Sequence, residues 1–136
     1  MLDPQVFARA EQAVEPFSDD FATWAQEDIV KLRKAVERDQ AGDLAPDDTI
    51  AAIYKGALEL KGQGGAFGYD FVTAIGDLLN RCVEDWTTIF APDFQIIEAH
   101  IDALQAVIRD EIKGSKDKVG ANIVKGLHVF VEQRSA

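Results

Sequence analysis

The sequence predicts an all-α fold, an antiparallel four-helix bundle with an additional short N-terminal helix and a C-terminal helix, in a single domain over residues 1–136. Three observations lead there. Apolar residues recur at spacings of three and four along nearly the whole chain, which stacks them on one side of a helical rod. Proline and glycine punctuate those runs, and no strand-period alternation, internal repeat or low-complexity tract interrupts them. With 136 residues and 47% hydrophobic content, the chain can bury one sizeable core and has no room for two ordinary domains.

Six segments follow in order. Residues 1–16 hold a short amphipathic helix: Asp3-Pro4 is a cap and first-turn proline, Val6, Phe7, Ala10 and Val14 share a face, and Pro16 stops the run. The bundle and last helix occupy 18–134. In 18–41, Ser18 is the N-cap and Gly42 the stop, with Phe21, Trp24, Ala25, Ile29, Leu32 and Val36 as the core stripe and Asp28 on its solvated flank. Pro46-Asp47-Asp48-Thr49 opens the helix over 46–65. The helix over 69–86 carries Phe71, Ile75, Leu78, Cys82 and Trp86 on one wide apolar face. Pro92-Asp93 starts 92–113, where Ile97, Ile101, Leu104, Ile108 and Ile112 form the stripe, His100 lies on its flank and Gly114 supplies the stop. Val119, Ile123, Leu127, Phe130 and Arg134 define the last helix over 119–134, with His128 off its stripe.

The stretch Ala57-Leu58-Glu59-Leu60-Lys61-Gly62-Gln63-Gly64-Gly65-Ala66-Phe67-Gly68-Tyr69 stands apart. Ile53, Ala57, Leu60, Gly64 and Phe67 form its inward stripe, and at about 100° per residue Leu58 points away from it, together with Tyr54, Lys61 and Gly65. Leu58 is therefore expected to be exposed. Gly62, Gly64, Gly65 and Gly68 would each cost a helix interior ~1 kcal/mol relative to alanine, so propensity does not account for them. They suit either a fraying helix end or a surface that a partner or another helix approaches closely.

Charge and cysteine content narrow the function classes. Fourteen basic against twenty-four acidic residues give a formal charge of −10, which repels phosphate backbones and argues against nucleic acid or anionic membrane as partners. Cys82 alone permits no intramolecular disulfide and no cysteine cluster for a metal. Met1-Leu2-Asp3-Pro4-Gln5 lacks a signal-peptide layout, and no apolar run approaches the ~20 residues of a bilayer crossing, so a cytoplasmic location is expected. His100 and His128 lie on different helices without metal-ligand spacing, and no metal or other cofactor is expected. The serines have no nucleophile-elbow context, and the glycines follow a helix rather than a strand, which disfavours a hydrolase triad and a phosphate-binding loop.

The glycine-rich stretch resembles the motif of the histidine-containing phosphotransfer (HPt) domain, whose helix bears Ala-His-x-Leu-Lys-Gly, then small residues and a glycine ten positions after the histidine. Ala57, Leu60, Lys61, Gly62 and Gly68 match in register over about thirteen residues, and the helix order extends the likeness loosely over 18–134. Leu58 stands where the family places its phosphoacceptor histidine. The resemblance implies phosphorelay signalling, with a response-regulator receiver domain or a histidine kinase as partner and Lys61 in the charge-balancing position. Leucine offers no nucleophilic atom, so the expectation is a non-catalytic domain that docks through Tyr54, Leu58, Lys61, Gln63, Gly64 and Gly65 without passing phosphate. The alternatives are an active phosphotransferase using His100, or a helical adaptor unrelated to phosphorelay.

Overall fold

The computed structural model describes residues 4–114 and 116–135, with side chains described for 20–114 and 116–132. The chain is all-α. Five helices follow one another: α1 (Pro4–Gln40), α2 (Pro46–Ala66), α3 (Asp70–Glu84), α4 (Ala91–Arg109) and α5 (Lys118–Ser135), and there is no strand among the described residues. None of the helices, among those residues, is long and apolar enough to cross a membrane.

The predicted break at Pro16 is not there. α1 runs without interruption through Pro16 and Ser18 for 37 residues, so there is no separate N-terminal helix and Ser18 is not an N-cap. Proline removes one backbone hydrogen bond and crowds the preceding turn, which bends a helix as readily as it ends one when turns on both sides continue the spiral. The face assigned to Val6, Phe7, Ala10 and Val14, and the place of Arg134 in the last stripe, lie outside the described side chains.

The other ends follow local chemistry. Pro46 enters the first turn of α2 with Asp47 and Asp48, whose negative charge suits the helix N-terminus. At its far end Gly68 adopts φ +81°, a left-handed conformation that glycine takes without steric cost, and this lets the Tyr69 N–H reach back to the Gly64 carbonyl at 2.8 Å. α4 opens on a reciprocal pair, the Phe90 N–H to Asp93 Oδ2 at 2.8 Å and the Asp93 N–H to the Phe90 carbonyl at 2.9 Å. It ends at Arg109, short of the predicted 113, because Glu111 turns left-handed at φ 51° before Gly114 is reached. Asp117 Oδ1 caps α5 by accepting from the Val119 and Gly120 N–H groups at 2.8 and 3.1 Å.

Packing joins α1 to α2 and α4, and α3 to α2 and α4, while α5 lies against α3 and α4. The shared core includes the predicted Phe21, Leu32, Ile53, Leu60, Ile75, Ile101, Leu104 and Leu127, with Leu78 only partly buried at its edge. Phe21 stacks on Phe67 with ring centroids 5.2 Å apart, closing α1 over the end of α2. Two predicted core residues face solvent instead: Trp24 is 44% exposed and Val119 59% exposed. Small residues let the helices come close. A methyl at Gly56 would run into Leu32 of α1, and one at Gly76 would sit 3.0 Å from the Ala57 carbonyl oxygen and 3.1 Å from Lys61 Cβ.

Candidate functional site

The middle of α2 presents two faces of opposite character. Ile53, Ala57 and Leu60 are wholly buried, whereas Leu58 is 50% exposed and Tyr54 39%. Gln63, Gly62 and Gly65 are also exposed, so these residues border Leu58 on the outer surface. Gly62 has open space beside its Cα, and a methyl at Gly65 would meet only the Thr73 hydroxyl, at 3.2 Å.

Gly64 does not belong to that face. It is buried, and a methyl there would sit 2.7 Å from Val72 Cγ1 and 2.8 Å from Val72 Cβ. Its small size serves the contact between α2 and α3. Its two places in the sequence reading, on the inward stripe and on the outer face, resolve to the first, since position 64 falls eleven residues after Ile53 on the buried side of the spiral.

Lys61 lies at the boundary between the two faces, and its ammonium is directed to α3. Nζ binds Asp77 Oδ1 at 2.8 Å, while Arg81 Nε binds Asp77 Oδ2 at 3.0 Å, so one carboxylate holds two cations. The Lys61 hydrogen bond holds the Asp77 carboxyl below the usual carboxylate range, with the neighbouring Arg81 charge acting in the same sense against partial desolvation. The Thr73 hydroxyl donates to the Lys61 carbonyl at 2.9 Å, fixing the backbone beneath. The Asp77–Arg81 spacing of four is readable in the sequence, but the pairing with Lys61 depends on how α2 and α3 are aligned, which periodicity does not specify.

His100 is wholly buried rather than on a flank. Its Nδ1 lies 2.7 Å from the Ile96 carbonyl, which makes that nitrogen the proton-bearing donor and leaves Nε2 facing the Cys82 sulfur at 4.0 Å. Burial pushes the imidazole below its ordinary pKa, partly opposed by the Ile96 hydrogen bond. His128, on α5, is exposed. Among the described residues no group of three His, Cys, Asp or Glu side chains could hold a metal ion.

Asp28 is likewise more covered than expected. Its side chain is 12% exposed, and desolvation raises its carboxyl pKa, with Glu59 across the α1–α2 groove adding to the rise and Lys31 lowering it. α2 covers this flank of α1, which a single-helix pattern does not register.

No family model matches the chain, and no curated protein or solved structure matches it.

Proposed function

We propose that this chain is an HPt-like docking domain of two-component phosphorelay signalling, which acts in the cytoplasm, binds a response-regulator receiver domain or a histidine kinase through the face around Leu58, and accepts no phosphate. The observation that carries this reading is Leu58 itself. It is half exposed in the middle of α2, at the acceptor position of the Ala57–Gly68 motif, with the open side of Gly62 one turn away. An exposed leucine at such a place costs nothing to fold and gains ~1.5 kcal/mol when a partner covers it.

The helix pairing supports the same reading. α1 to α4 pack in a closed ring of neighbours joined by short connections, as an antiparallel four-helix bundle requires. A phosphotransferase using His100 is disfavoured, because the imidazole is wholly buried and Nε2, the nitrogen that keeps its lone pair when Nδ1 donates to the Ile96 carbonyl, faces the Cys82 sulfur rather than solvent.

The test pairs binding with transfer. Calorimetric titration of the wild-type chain with a panel of receiver domains should find a binder, Leu58→Glu should remove that binding without lowering Tm, and wild type should take no label from the phosphorylated receiver. Leu58→His should gain an acid-labile phosphohistidine from the same receiver. If no receiver or kinase binds, the chain is an adaptor of another kind; label on wild type lost with His100→Ala would establish the buried histidine as acceptor.

A further inference from the structure

A second surface lies at the other end of α2. Ile50, Ala51 and Tyr54 of α2 face Val83 and Trp86 across a groove of about 450 Å³. Asp47 and Glu84 stand on its rim. The α2 side takes positions 47, 50, 51 and 54, one side of the helix over two turns, so the groove runs for roughly 10 Å along the axis at ~1.5 Å per residue. Its accessible apolar lining is Ile50, Ala51 and Trp86 above the buried Val83, and the carbonyl of Tyr54 is pinned to α3 by the Asn80 side-chain amide at 2.9 Å, which keeps the two walls together.

Charge selects the occupant. The two charged residues of the lining are both acidic, no lysine or arginine lines the groove among the described residues, and the chain as a whole carries a formal charge of −10. An apolar floor between two carboxylates repels acidic chains and nucleic acid, and it rewards a ligand that brings apolar side chains flanked by cations. The length exceeds a single side chain and matches the i, i+3, i+4 anchors of an amphipathic helix lying along α2.

We propose that the α2–α3 groove docks a basic amphipathic peptide segment of a partner protein, with its apolar side chains on Ile50, Ala51 and Trp86 and its lysines or arginines on Asp47 and Glu84. The groove shares Tyr54 with the face around Leu58 but does not depend on it. Receiver binding can therefore fail while this inference holds, and the reverse.

The full chain carrying Trp24→Phe leaves Trp86 as the single reporter, because the sequence has two tryptophans. Titration with a synthetic amphipathic helix of leucine and lysine should shift Trp86 emission to the blue and saturate at one peptide per chain. Asp47→Lys with Glu84→Lys should weaken that binding at least about tenfold, whereas Glu98→Lys with Glu132→Lys, an equal change of net charge away from the groove, should weaken it less than about threefold. A peptide with serine in place of leucine should bind at least about tenfold more weakly. The proposal is overturned if the serine peptide binds as tightly, if the distant reversal costs as much as the groove reversal, or if a folded Asp47→Lys/Glu84→Lys chain retains wild-type affinity.

Discussion

Replacing Gly62 and Gly64 in turn by alanine tests which glycines of α2 serve packing and which serve the surface. Both lie within the same helix, so each substitution gains a similar propensity term of up to ~1 kcal/mol. Gly62 has nothing within 4 Å of the added methyl, and its variant should keep that gain. At Gly64 the methyl would lie 2.7 and 2.8 Å from two carbons of Val72, against the ~3.5–4.0 Å of an ordinary carbon contact. Rotating Val72 relieves one of these contacts but not the one to its Cβ, and Val72 is wholly buried, so α2 and α3 must separate by close to 1 Å. Such overpacking costs ~1–3 kcal/mol, and because the propensity terms cancel, that range is the expected stability difference between the two variants. Urea denaturation should resolve it directly, and thermal unfolding should separate the two by ~4 °C per kcal/mol for a domain of this size. Equal stabilisation by both substitutions would refute the assignment of Gly64 to the helix contact.

Further outcomes follow from neighbouring residues. Leu60→Ala should destabilise by ~2–5 kcal/mol as a core cavity, while Leu58→Ala should stay within ~0.5 kcal/mol, both read by chemical denaturation. His100 resists protonation in the folded chain. Below its ordinary pKa of 6.5 the unfolded chain gains a proton that the folded one refuses, so its contribution to stability is present above that pH and is lost as the pH falls through it. His100→Gln should flatten that part of the pH–stability profile measured between about pH 5 and 7. In a Leu58→His background, Asp77→Ala should free Lys61 and speed phosphoryl uptake, with a stability loss under ~1 kcal/mol because both ion pairs are half-exposed; an unchanged rate would mean that Lys61 does not act on the phosphoryl group.

Helical periodicity made much of α2 legible. The contrast between wholly buried Leu60 and half-exposed Leu58 follows from a 200° difference in direction that any 3.6-residue spiral imposes. What periodicity could not supply was the number of neighbours around each helix. α4 contacts α1, α3 and α5, so its buried arc widens to take in His100, which a single stripe leaves on the flank. Trp24 errs the other way: Phe21 and Ala25 fill the core side of that turn of α1, and the indole stays in water. Pro16 carries a strong local stop signal, yet a proline with helical turns on both sides need not end the spiral. The candidate face shows the same division. Its exposure was readable, whereas the Lys61–Asp77 pair and the burial of Gly64 depend on the alignment of α2 against α3.

That alignment is keyed at two separated points. Gly64 accepts Val72 of α3, and one turn further along α3 Gly76 accepts the backbone of Ala57 and the stem of Lys61. Sliding α2 by one turn, ~5.4 Å, would carry each notch past its tooth and drive side chains into backbone, so no neighbouring register is available to the pair. Leu58 is thus mounted on a rod that can neither ratchet nor retract under load. A protein pressing on it meets a finished shape, and the adjustment on association falls to the incoming surface; free and bound forms of this chain should superpose at α2 and α3 to within ~1 Å.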